Sequence, residues 1–142
     1  MAFFTVPAVV SDMETDRFTN GAIALTLIGC LVAFVGPLAL DVQPGVRGSV
    51  TLSAVVGAVF AGKNALTVRE RGRPELAAGV MATVLGLWLI IAPLQYQSVG
   101  APLTAVTQFG GMLLAAFSAY AALVAVEWYL GDRTDHSVSG SR

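Results

Sequence analysis

The chain has 142 residues, of which 56 % are hydrophobic and only 12 % charged; soluble domains usually carry about 25 % charged residues, because their surfaces must face water. A single domain with so few charges and a mean hydropathy of +0.75 is suited to a surface that faces lipid. The formal net charge of -1 gives no electrostatic footprint for nucleic acid, and the lone Cys30 excludes an intramolecular disulfide or a thiolate cluster.

Residues 1–19 open with an apolar stretch, but no cationic region precedes it and Asp12, Glu14 and Asp16 follow. That order argues against a secretory signal and for a short cytoplasmic or interfacial lead-in. A helix rises 1.5 Å per residue, so an apolar layer of about 30 Å takes about 20 residues to cross. Four runs meet this length: about 21–40, free of charge; 49–68, interrupted only by Lys63; 75–95; and 105–129. They are too long for strands and lack the alternation of a membrane β-barrel. In lipid each segment must satisfy its own backbone groups, which leaves helix. Residues 131–142 form a polar tail, expected to be disordered.

The cations predict an orientation. Arg17 precedes the first run, Lys63, Arg69, Arg71 and Arg73 gather between the second and third, and Arg133 and Arg142 follow the fourth. Arg47 alone falls in the other loops. By the positive-inside tendency both termini are cytoplasmic and the chain is a multi-pass protein of the cell membrane. Trp128, Tyr129 and Tyr96 fall where helices meet the headgroup layers, positions that amphipathic rings favour. Lys63 lies close enough to the cytoplasmic end for its stem to snorkel to the interface. Seven of the eight cations are Arg, a bias that suggests a GC-rich prokaryotic genome.

The two halves resemble each other. Setting Pro37 against Pro93, an offset of 56, aligns Ala22, Thr26 and Cys30 with Ala78, Ala82 and Gly86. At an offset of 54, Ser53, Gly57, Ala61 and Ala65 align with Thr107, Gly111, Ala115 and Ala119. Spacing by four puts each set on one helical face. Apolar side chains gain little by leaving lipid for each other, so membrane helices associate where small residues let backbones approach. The expected architecture is an all-α, four-transmembrane-helix bundle made by parallel duplication of a two-helix hairpin, repeat 1 spanning about 20–68 and repeat 2 about 75–130. Pro37 and Pro93 loosen the last turn of their helices, freeing the carbonyls of Ala33 and Leu89.

The run Gly86-Leu-Trp88-Leu-Ile-Ile-Ala-Pro93 resembles the signature of the SPW-repeat membrane proteins of archaea and bacteria, in which such a stretch closes one helix and a second follows a short outer loop. Trp88 and Pro93 fit; Ala92 and Leu94 replace the family's Ser and second Trp, and in the first half only Pro37 of the signature is kept. The resemblance, over roughly 20–130, implies the fold and no specific activity.

An enzyme needs convergent titratable groups. The one histidine, His136, lies in the tail, no His/Cys/carboxylate set has metal-ligand spacing, and every acid falls in a loop, a tail or near a helix end. The expectation is a protein without catalytic, metal or cofactor residues: a scaffold, accessory or sensor subunit whose partners are the bilayer and another membrane protein or a second copy. The alternative is a small channel or transporter for a neutral or weakly charged solute, as a homo-oligomer, lined by Thr26, Ser49, Ser53 and Thr107.

Overall fold

The computed structural model describes residues 8–96 and 99–139, with side chains placed for 17–96 and 99–131. Four helices follow in order: α1 (Ala8–Ala39), α2 (Pro44–Arg71), α3 (Leu76–Gln95) and α4 (Ala101–Ser139). Each is long and apolar enough to cross a membrane, over Arg17–Ala39, Pro44–Arg71, Leu76–Gln95 and Ala101–Gly131. Short connections make successive helices antiparallel neighbours, and α4 returns beside α1, closing a ring.

Local chemistry sets the ends. Pro44 occupies the first turn of α2, where the missing N–H costs nothing and the fixed φ is already helical. At the other end Gly72 adopts φ 68°, its N–H donating to the carbonyl of Val68 at 2.9 Å. This left-handed cap needs glycine and turns the chain sharply into α3. Pro37 and Pro93 lie inside α1 and α3, two residues before each helix stops.

Two helices run longer than composition implied. No Gly or Pro interrupts residues 8–20, and α1 begins at Ala8, within the segment read as a lead-in; residues 1–7 lie outside the described set. Likewise α4 continues as backbone helix to Ser139, through most of the tail expected to be disordered. Extending an existing helix adds one hydrogen bond per residue without a new nucleus, so a long membrane helix carries polar residues with it where no proline stops it.

The tightest packing surrounds α4. Half of its span is buried, against 28 % for α2. A Cβ built on Gly29 would stand 2.8 Å from the carbonyl oxygen of Gly110, and one on Gly110 equally close to that of Gly29. Gly86 and Gly111 repeat this reciprocal geometry at 2.8 Å across α3 and α4. Helices separated by side chains stand about 8–10 Å apart; here backbones touch. The hydrogen that each glycine carries in place of Cβ points at the opposing carbonyl, a weak bond of about 0.5–1 kcal/mol. Around these crossings Leu89, Leu114 and Val50 fill the bundle's centre, each fully buried.

The seam between α1 and α2 is looser. A Cβ built on Gly57 would stand 3.7 Å from the sulfur of Cys30 and 2.9 Å from a terminal methyl of Leu114, so side chains rather than backbone fill the gap. An apolar groove of about 420 Å³, lined by Cys30, Phe34, Ala54 and Ala58 among others, opens along this seam.

A methyl group added at a glycine should therefore have opposite effects at two sites. Gly86→Ala forces α3 and α4 apart and should cost about 1–3 kcal/mol. Gly62→Ala meets nothing within 4 Å and should be neutral or stabilising by up to about 1 kcal/mol, since alanine restricts the unfolded chain. Reversible unfolding in mixed micelles measures both.

Candidate functional site

The residues expected to line helix seams fall as follows. On α3, Ala78, Ala82 and Gly86 are all buried. On α2, Gly57 and Ala61 are buried while Ser53 and Ala65 are half-buried, and the inward face runs Val46, Val50, Ala54, Gly57, Ala61, Asn64. Four residues turn a helix by about 400°, so a stripe spaced strictly by four drifts about 40° per step and leaves the seam at its ends. On α4, Thr107, Gly111 and Ala115 are buried and Ala119 is half-buried; beyond it the face continues through Ser118, Ala121 and Ala125. Gly86, Gly111 and Ala115 meet in one contact, and Gly57 meets Cys30 in another. Of the repeat-signature residues, Pro37 and Pro93 are buried, whereas Trp88 is 42 % exposed on the outer face of α3.

The small polar residues do not converge on a lumen. The hydroxyl of Thr26 donates to the carbonyl of Ala22 at 2.9 Å, and that of Ser53 to the carbonyl of Ser49 at 2.9 Å. Each is spent on its own helix backbone, the usual resting place for such groups in apolar surroundings. Thr107 differs: it is fully buried, yet its hydroxyl oxygen has no partner. Among the described residues no three His, Cys, Asp or Glu side chains come together to hold a metal ion. His136 lies outside the described side chains.

Three polar contacts escaped the sequence reading. Asn64, 4 % exposed, accepts the backbone N–H of Glu75 at 2.8 Å, satisfying a donor where α3 starts. Its neighbour Lys63 pairs with the Glu75 carboxylate at 3.0 Å, the two side chains 59 % and 33 % exposed. Its partner is the first residue ahead of α3. On the opposite half of the bundle the Gln108 amide donates to the carbonyl of Ile90 at 3.3 Å, tying α4 to α3 beside the turn loosened by Pro93. The available signal was an isolated amide in each of two apolar runs; membrane helices rarely carry one without a partner. Near the ends that bear most of the cations, Phe18 and Tyr120 meet edge to face at 5.0 Å, joining α1 to α4.

These magnitudes predict which member of the Asn64–Lys63–Glu75 cluster matters. Asn64→Leu leaves the part-buried N–H of Glu75 unpaired and should destabilise by about 1–2 kcal/mol. Glu75→Gln removes only a partly exposed ion pair and should cost less than about 0.5 kcal/mol. The same unfolding assay separates them; equal losses would mean that the charge, not the cap, ties α2 to α3.

No known protein family, curated protein or solved structure matches the chain.

Proposed function

We propose that this chain is a non-enzymatic integral membrane protein that serves as a scaffold, accessory or sensor subunit beside another membrane protein or a second copy of itself. The observation that carries this reading is the filled centre. Leu89, Leu114 and Val50 occupy the interior at full burial, and Thr26 and Ser53 turn their hydroxyls to their own backbones. A solute path needs polar groups facing a cavity, and a catalyst needs titratable groups that converge. What the bundle offers instead is its lateral surface.

The same proposal includes an orientation and an origin. Arg17, Lys63, Arg69, Arg71 and Arg73 lie towards one end of the bundle and Arg47 towards the other; the positive-inside tendency puts the crowded end, and with it both termini, in the cytoplasm of a prokaryotic cell. A parallel duplication is supported by two crossings at equivalent positions, Cys30 against Gly57 and Gly86 against Gly111. The likeness of residues 86–93 to the SPW-repeat signature supports the same hairpin-on-hairpin reading.

The second reading, a channel or transporter for a neutral or weakly charged solute, draws on Thr107, whose buried hydroxyl has no partner. Flux into proteoliposomes discriminates. The scaffold reading expects no solute-selective uptake; uptake that Thr107→Val abolishes while the bundle stays folded would replace it with the channel. In a Cys30→Ala background, a cysteine replacing Gly100 should react with an impermeant thiol reagent in intact cells, and one replacing Arg73 only after permeabilisation. The reverse pattern would reject the orientation.

A further inference from the structure

We propose that the groove between the start of α3 and the end of the α4 span binds the phosphate headgroup of an anionic glycerophospholipid. The groove encloses about 320 Å³ and is lined by Arg71 at the end of α2, Arg73 from the α2–α3 connection, Leu76 and Ala77 from the first turn of α3, and Trp128 from α4. Among the described residues neither guanidinium has an ion-pair or hydrogen-bond partner. The one carboxylate in the lining, that of Glu75, is engaged by Lys63 at 3.0 Å.

Three independent features favour a phosphate there. Arginine presents a planar fork of donors that matches phosphate oxygens. The Glu75 side chain makes no capping hydrogen bond and Asn64 takes only the N–H of Glu75 itself, so the N–H groups of Leu76 and Ala77, two of the groove's lining residues, and the positive end of the helix dipole remain available to an anion. Trp128, 56 % exposed near the end of the α4 span, stands at the depth where amphipathic rings meet headgroups. A soluble anion would find the same donors, but the groove adjoins the acyl layer, and a lipid delivers its phosphate at that depth with its chains already in place. This inference requires only that the helices span the membrane; it is independent of the scaffold proposal, which the flux experiment tests separately.

The test uses the full chain with Trp88→Phe, so that Trp128 is the sole tryptophan, reconstituted in phosphatidylcholine vesicles. Quenching of Trp128 is compared for phosphatidylglycerol and phosphatidylcholine, each carrying a nitroxide near the headgroup end of one acyl chain. Phosphatidylglycerol should be enriched about fivefold at the ring, the ratio expected from one basic residue's attraction. Arg71→Gln with Arg73→Gln should abolish the enrichment, while Arg69→Gln, outside this groove, should retain it; unchanged circular dichroism confirms that each variant folds. No enrichment in the parent protein, no loss in the double variant, or an equal loss with Arg69→Gln would overturn the site. Abolition by inorganic phosphate at constant ionic strength would assign the groove to a soluble phosphate anion instead.

Discussion

The bundle depends on one constraint: two adjacent glycines must let two different helices touch the backbone of α4. Successive residues of a helix point about 100° apart, so Gly110 and Gly111 look towards separate neighbours at nearly the same depth. Gly110 meets Gly29 of α1 and Gly111 meets Gly86 of α3, with carbonyl oxygens 2.8 Å from where a Cβ would stand. Hydrophobic transfer gives little drive inside lipid, so dispersion contacts and weak Cα–H···O bonds at these crossings must supply much of the association. A three-helix unit α1–α4–α3 results, and α2 closes the ring along looser seams.

That asymmetry organises the rest of the molecule. Cys30 occupies on α1 the place that Gly86 has on α3, and its sulfur, 3.7 Å from where a Cβ of Gly57 would be, stands between helices that would otherwise come together. The lipid-facing groove along α1 and α2 follows from this one side chain and from Phe34 beside it. The polar groups secure α2 in a different way: Asn64 and Lys63 fasten its end to the start of α3. Satisfying a part-buried N–H is worth more than an exposed ion pair, so the Asn64 cap carries most of that tie.

Sequence periodicity revealed the four spans because length and apolarity leave helix as the one way to cross lipid. Small residues at repeating intervals stand out against Leu and Val, and of these Gly57, Gly86, Gly111 and Ala115 are buried. Periodicity missed the Gly29–Gly110 crossing for a physical reason. A repeat comparison aligns one hairpin with the other, whereas this contact joins the first helix to the fourth, and nothing local specifies which helix lies beside which. The rotation of the α2 face was equally out of reach: Ser53 and Ala65 fit a four-residue spacing, yet an actual helix repeats at 3.6 and buries Ala54 and Asn64 instead. The extra length of α1 and α4 was hidden because composition reports what a segment would do alone, not what it does when continuous with a membrane helix.

The reciprocal glycine contacts have a direct readout. Solid-state magnetic resonance of glycine-labelled protein in lipid bilayers should give α-proton cross-peaks between Gly29 and Gly110 and between Gly86 and Gly111. Spectra in which both pairs show only contacts within their own helices would contradict the arrangement of α4 between α1 and α3.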